Sequence, residues 1–347
     1  MPYNMQVSKS GNALLAARSA GNRLFVRNGD TYVPSLFLTG LLSPNGRMVV
    51  SGSAIFESSD DQWTNVTTTT LSSINPEFNS NGQDQVFYAT AISEDNTRIM
   101  FMRRGVLASF RLLVKVNNSW MWDGSTITRS FPGNSQNSLT TFPFSGMFST
   151  DGNLFFQSHS TGNNIAMGSI RPEFTTLITV TPLETSPSGV TINDISSVTG
   201  NSELKAATTL QFLDNNNALS YVRGSTTVLR HLTKVDNDWV VTKWLSSTSL
   251  AQDGNNLNVY FRNNWPEPAN PWFDPIKFCF PNNVNRLVHR AGSFIVASAW
   301  NGTNNRTLIR NIPANDPNNS GSIIAPIGED EVVTWVNGTY RVFKLNL

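Results

Sequence analysis

Charge is scarce in this 347-residue chain: 14% of residues are charged, and 25 basic against 24 acidic side chains leave a formal net charge of +1. Neutralising nucleic-acid phosphates takes clustered Lys and Arg. The longest basic run is the pair Arg103-Arg104, so no nucleic-acid partner is expected. The single cysteine, Cys279, sits in the apolar run Ile276-Lys277-Phe278-Cys279-Phe280. It closes no intramolecular disulfide and reads as a small buried hydrophobe rather than a reactive thiol. No apolar stretch approaches the roughly 18 residues of a membrane-spanning helix. The opening Met1-Pro2-Tyr3-Asn4 has neither the basic nor the apolar region of a signal peptide. A chain made in the cytoplasm, with no membrane span, is the expectation.

Chemistry-bearing patterns are equally sparse. The three histidines, His159, His231 and His289, stand apart from any Cys, His or acid at metal-ligand spacing. No Gly-x-Ser-x-Gly elbow, P-loop or Gly-x-Gly-x-x-Gly phrase occurs. Paired carboxylates would serve glycoside hydrolysis, but the 24 acids single out no pair. No cofactor or metal is implied.

Asparagine, serine and threonine are abundant, Asn alone supplying about one residue in eight. Asn and Ser close tight turns by bonding nearby backbone groups, and β-branched Thr favours strands. Many short strands joined by many turns are therefore expected, with an internal repeat. A Ser-x-Asp/Asn-Gly turn phrase followed at once by an apolar strand is clearest at Ser43-Pro44-Asn45-Gly46, Ser93-Glu94-Asp95-Asn96 and Ser149-Thr150-Asp151-Gly152. Weaker copies are Ser8-Lys9-Ser10-Gly11, Asp214-Asn215-Asn216 and Gln252-Asp253-Gly254, and degenerate ones are Ala291-Gly292 and Glu329-Asp330. A second phrase, Lys115-Val116-Asn117-Asn118-Ser119-Trp120, returns as Lys234-Val235-Asp236-Asn237-Asp238-Trp239. Asp60-Asp61-Gln62-Trp63 and Val336-Asn337-Gly338-Thr339-Tyr340 look like its relatives, and an Asn/Asp turn between apolar stretches signals a hairpin.

Each unit thus reads as four antiparallel strands, repeating at blade-sized spacing. The predicted fold is all-β: one β-propeller over residues 1–347, with seven or eight four-stranded blades and a ring closed by N- and C-terminal strands. Met5 to Val7 would complete the last unit. A β-sandwich array or β-solenoid is the structural rival. The polar stretch 184–204 is expected as an inserted loop and the proline-rich stretch 265–275 as another, since proline is excluded from central strands.

The Ser-x-Asp-Gly-then-strand phrase resembles WD40 and TolB-type propeller repeats, and the Asn-rich hairpin ending in Trp is similar to bacterial propeller repeats. The chain departs from the WD40 pattern in having one Trp-Asp pair, Trp122-Asp123, and no Gly-His partner. It departs from the Ser-x-Asp-x-Gly-x-x-Trp box of sialidase propellers too: Gly152 follows Asp151 directly, and Phe155-Phe156 stand where the box has its Trp.

The turn aspartates Asp95, Asp151, Asp214 and Asp253 read as residues that satisfy turn N–H groups, with calcium binding as the competing reading. Trp63, Trp120 and Trp239 recur with the repeat and read as blade packing. Trp265, Trp272 and Phe273, in the proline-rich loop, are the candidate binding residues, because aromatics on a rigid loop anchor proteins or sugar faces. The expected function is a non-enzymatic structural or binding propeller in a phage or viral particle, as a tail, decoration or host-attachment subunit. Its partners would be other subunits of the assembly or a host-surface glycan. A cytoplasmic interaction scaffold, a glycan-binding lectin and a sialidase-like hydrolase remain as alternatives.

Overall fold

The computed structural model describes residues 4–17, 23–78, 87–103, 107–122, 124–130, 142–143, 146–160, 174–182, 190–207, 209–222, 227–246, 279–280, 282–291, 294–303, 305–313, 322–336 and 338–347. The strands fall into antiparallel sheets that follow the chain. Blade 1 holds Asn4–Val7, Ala13–Ala17, Arg23–Asn28 and Thr31–Pro34. Blade 2 holds Leu41–Leu42, Met48–Val50, Ala54–Ser58 and Val66–Thr70. Blade 3 holds Phe87–Ile92, Arg98–Arg103, Leu107–Val116 and Ser119–Trp122, with Ile127–Ser130 also paired to its long third strand.

In blade 4, Phe142–Pro143 and Met147–Phe148 both pair with Leu154–Ser160, followed by Phe174–Pro182 and Val190–Asp194. Blade 5 holds Thr209–Phe212, Asn217–Tyr221, Thr227–Val235 and Asp238–Ser246. Blade 6 holds Cys279–Phe280, Asn283–Ala291, Phe294–Gly302 and Asn305–Pro313. Blade 7 holds Ser322–Ile327, Glu331–Val336 and Thr339–Lys344.

Period-two burial explains why these strands read as continuous apolar runs. A strand sandwiched between two neighbouring sheets must be apolar on both faces. In blade 1, Ala13, Leu15, Leu24 and Val26 pack with Leu42, Val49 and Trp63 of blade 2. The alternate residues Leu14, Ala16 and Phe25 pack with Ile327, Val333 and Tyr340 of blade 7. Phe155 faces Met102 and Phe110 of blade 3, while its neighbour Phe156 faces Leu210 and Trp239 of blade 5. Each such side chain contributes about 2 kcal/mol by leaving water. No single sheet could bury both its faces, and radial stacking does so.

Each blade touches the next. Blades 5 and 6 meet through Lys243, whose Nζ donates to Asn285 Oδ1 at 2.6 Å and lies 4.5 Å from the Trp300 ring centre. Blade 7 closes on blade 1: Ser322–Ile327 neighbours Asn4–Val7, and Arg341 pairs across the edge with Thr31. The chain is a β-propeller whose N- and C-terminal strands complete the ring; the described strands form six sheets, one of which joins blades 7 and 1 through Arg341 and Thr31.

Several local expectations are corrected. Met5 to Val7 do not complete the last unit; Asn4–Val7 pairs in register with Ala13–Ala17 as the first strand of blade 1. Within 184–204, Val190–Asp194 is not a loop but the last strand of blade 4, and Ser202–Lys205 is a short helix. The phrase at 291–292 falls in sequence between the second and third strands of blade 6, Asn283–Ala291 and Phe294–Gly302, whereas the described turn residue between its first and second strands is Asn282. Val336-Asn337-Gly338-Thr339-Tyr340 also joins second and third strands, so it is not a relative of the Trp-ended hairpin between third and fourth strands. The turn phrase at Gln252-Asp253-Gly254 and the proline-rich loop lie outside the described residues.

Candidate functional site

Antiparallel connectivity gives the ring two unlike faces. First-to-second turns and third-to-fourth hairpins emerge on one, the turn face. Second-to-third loops and the links between blades emerge on the other, the link face.

The turn face is built from one repeated module. In Ser149-Thr150-Asp151-Gly152, Gly152 N–H donates to Ser149 O at 2.8 Å, Leu154 N–H to Ser149 Oγ at 2.9 Å, and Ser149 Oγ–H to Asp151 Oδ1 at 2.6 Å. Asn153 N–H adds a bond to Asp151 Oδ1 at 3.0 Å. Ser93-Glu94-Asp95-Asn96 repeats the set, with Asn96 donating to Ser93 O at 3.1 Å and Thr97 N–H reaching Asp95 Oδ1 at 3.0 Å. The fourth residue is left-handed in the four Ser-led copies: φ is +72° at Gly11, +78° at Gly46, +59° at Asn96 and +70° at Gly152. This is why the phrase ends in Gly or Asn. The acids serve these turns. Asp95 and Asp151 are held below the usual carboxylate range by their serine and backbone donors, against an opposing contribution from burial. Asp214 likewise accepts from Asn216 N–H at 2.7 Å.

Several turns also fasten one blade to the next through a series of bonds that point the same way. Asn282 N–H donates to Gly328 O at 3.2 Å, Gly328 N–H to Lys9 O at 3.4 Å, and Lys9 N–H to Pro44 O at 2.8 Å. The series continues with Asn45 Nδ2 to Glu94 O at 2.7 Å and Arg98 Nη1 to Asp151 O at 2.8 Å. Gly46 sits so close to blade 1 that a Cβ there would lie 2.3 Å from Asn12 Oδ1. The repeat tryptophans are structural as well. Trp63, Trp120 and Trp239 are buried, Trp63 donating to Gly46 O and Trp120 to Glu57 Oε2.

Three arginines recur at one position of the third strand, ahead of the aromatic residue that opens the fourth: Arg23, Arg111 and Arg230. Arg111 and Arg230 are buried and pair with glutamates from the preceding inter-blade link, Glu77 and Glu203. Arg111 lies between two rings, 4.1 Å from Phe87 and 4.2 Å from Trp122. Arg23 instead stacks 4.0 Å from the ring of Phe37, on the link into blade 2, and Phe37 is 68% exposed. Phe37 is the most exposed of the large hydrophobic side chains among the described residues, and Val198 on the link from blade 4 to blade 5 follows it at 55%. Sequence reading passed over these groups. The Arg signal was present as a backward extension of the Lys-Val-x-Asn-x-Trp phrase, whereas Phe37 carries no motif.

The sequence-predicted binding residues Trp265, Trp272 and Phe273 lie outside the described residues, so the structure brings none of them to a site. Of the histidines, His231 is buried between blades 5 and 6, with Nδ1 2.7 Å from Thr242 Oγ1. Burial, assisted by nearby Lys243, lowers it to about 4. The side chains of His159 and His289 lie outside the described set. Among the described residues, no group of His, Cys, Asp and Glu gathers at metal-binding distance.

No family model and no curated protein matches the chain. Solved structures do. The β-propeller domain of Cps50 (Swd1) from Myceliophteria thermophila is 10% identical over 99% of this chain and 96% of its own, with a TM-score of 0.42. The Dos1 propeller is 12% identical over 99% of this chain and 78% of its own, TM-score 0.42. The periplasmic gluconolactonase PpgL of Pseudomonas aeruginosa is 12% identical over 71% and 69%, TM-score 0.41. Likeness at this level transfers no function; the propeller assignment rests on the sheet order and the closed cycle of blade contacts.

Proposed function

We propose that this propeller is a non-catalytic docking subunit that binds a protein partner through its link face, within a larger assembly such as a phage or viral particle. The observation that carries the reading is Phe37, 68% exposed beneath the guanidinium of Arg23. An aromatic and an arginine presented together are the residue types that dominate binding energy at protein interfaces, and the stacked pair is held ready at little entropic cost. The turn face is less suited to the task, because its polar groups are engaged in the turns and in fastening neighbouring blades. The low charge and the Asn-, Ser- and Thr-rich composition suit a subunit that must persist in a particle. A second reading, glycan binding by the same exposed aromatic, follows from the affinity of aromatic faces for sugar rings.

The test is to produce the double variant Arg23→Ser/Phe37→Ser in the native host and quantify the protein in purified particles. Wild-type protein copurifies at fixed stoichiometry, and the variant stays folded but is lost from the particles. Equal incorporation of both would refute the link-face reading. Binding of wild type to a glycan array, with no particle association, would favour the lectin.

A further inference from the structure

Blades 3 and 5 carry the same buried arginine in different surroundings. In blade 3 the cross-strand partner of Arg111 is Phe101, and Trp122, opposite Leu113, covers the guanidinium. In blade 5 the second-strand partner is small: Ser220 stands opposite Arg230, whose fourth-strand partner is Trp244, and Val241 stands opposite Leu232. Among the described residues no aromatic ring stacks on the Arg230 guanidinium, and Arg230 is nonetheless only 9% exposed, while Ser220 is 0% exposed.

Among the described residues, Nε and Nη2 of Arg230 and Oγ of Ser220 have no hydrogen-bond partner. Glu203 occupies only the Nη1 end. Directly opposed residues on one face of an antiparallel pair bring their side chains together. Ser220 and Arg230 share the face that carries Ala218 and Leu232, which pack against Phe156 and Leu177 of blade 4. The junction therefore gathers two parallel guanidinium N–H groups and one hydroxyl, in a setting where an unmet donor costs about 1–3 kcal/mol and a charged one more.

The Nε–Nη2 edge is the planar fork that accepts two oxygens of one anion side by side. We propose that the junction of blades 4 and 5 binds a small carboxylate or oxoanion, held bidentately by Arg230 with the Ser220 hydroxyl as third donor. The site does not depend on the docking function proposed above. Burial lowers the pKa of Arg230 despite the nearby Glu203, as expected for a cation whose compensation is incomplete. Phe101 occupies the corresponding position in blade 3, so an aromatic at 220 should fill the space beside Arg230 and exclude the anion.

The test uses the full-length protein and sodium formate as the probe. Thermal unfolding is followed at constant ionic strength as formate replaces chloride, for wild type, Ser220→Phe and Ser220→Ala. A ligand that binds the folded state stabilises it by RT ln(1 + [L]/Kd), so the midpoint climbs with the logarithm of ligand concentration once that exceeds Kd. Wild type should gain a few degrees that grow with the logarithm of formate concentration, while Ser220→Phe should show no gain over chloride. Ser220→Ala removes the donor with the least change of side-chain volume, so about tenfold more formate should be needed; this variant also stands in if Ser220→Phe fails to fold. A crystal grown in formate should show the anion in two contacts with Arg230. Parallel midpoint shifts in all three proteins, or water molecules alone on the Nε–Nη2 edge, would overturn the assignment.

Discussion

Arg111 and Arg230 are the same residue of the repeat, each buried on the third strand of its blade and each paired with a glutamate from the link that precedes that blade. Their surroundings determine what each contributes. Arg111 fills a slot between Phe87 and Trp122, and its partner Glu77 has a side chain 59% exposed. Packing should therefore outweigh charge at Arg111. Truncation by Arg111→Ala should cost about 2–4 kcal/mol by opening the slot. Arg111→Met, which refills it, should cost less than about 1 kcal/mol or stabilise slightly, as replacing a buried ion by an apolar chain often does. Urea unfolding distinguishes the two, and equal losses would mean that charge dominates.

The left-handed turn position makes a graded prediction. At Gly46 an added Cβ meets both a forbidding φ and the Asn12 and Ser8 side chains of the neighbouring blade. Gly46→Ala should cost about 2–4 kcal/mol. At the equivalent Asn96, φ +59° is already tolerated by an amide side chain. Asn96→Gly should change stability by less than about 0.5 kcal/mol, whereas Asn96→Ala should lose about 1 kcal/mol. Chemical denaturation midpoints at unchanged slope check all three.

His231 gives a pH window of its own. Its folded value of about 4 lies below the ordinary histidine value near 6.5. Between those limits the unfolded chain binds the extra proton and the folded one does not. This contribution to stability is complete above about pH 6.5 and is lost as pH falls toward 4. The loss should be on the order of 1 kcal/mol once solvent screening is allowed for. His231→Gln should flatten the stability profile over that window. The Asp60 carboxylate, held at about 2 by donors from Thr64, Asn65 and Gln62, titrates below the window and leaves it undisturbed. Unfolding midpoints at pH 7 and pH 5 provide the comparison.

The fold was legible where a residue acts on its own neighbourhood. Ser, Asp and Gly of the turn phrase serve backbone groups within five positions, so the phrase had to appear as a local pattern, and Ser43, Ser93 and Ser149 do occupy equivalent places. The repeated Trp120 and Trp239 were legible for the same reason. Blade 6 escaped because its first turn, at Asn282, has neither the serine nor the glycine, and the nearby Ala291-Gly292 imitates the phrase at another corner. Met5 to Val7 were misplaced because a short apolar strand suits either blade beside the closure. The site was less legible still. Arg230 reaches Glu203 across an intervening stretch of chain, and the contrast between Ser220 and Phe101 has meaning only once the two strands are known to be equivalent.

Ring closure between blade 7 and blade 1 is tested most directly by a crosslink at Thr31 and Arg341, Cα partners on neighbouring blade edges. Cysteines are introduced as Thr31→Cys/Arg341→Cys, with Cys279→Ser removing the native thiol. A control pair, Ser58→Cys/Val66→Cys, spans two strands of blade 2 that are partners in register. A closed propeller predicts that both pairs oxidise within the monomer, and that the first, closing nearly the whole chain into one loop, raises stability by up to about 5 kcal/mol. Oxidation of the control pair alone, with the Thr31 and Arg341 cysteines remaining as free thiols, would contradict the closed ring.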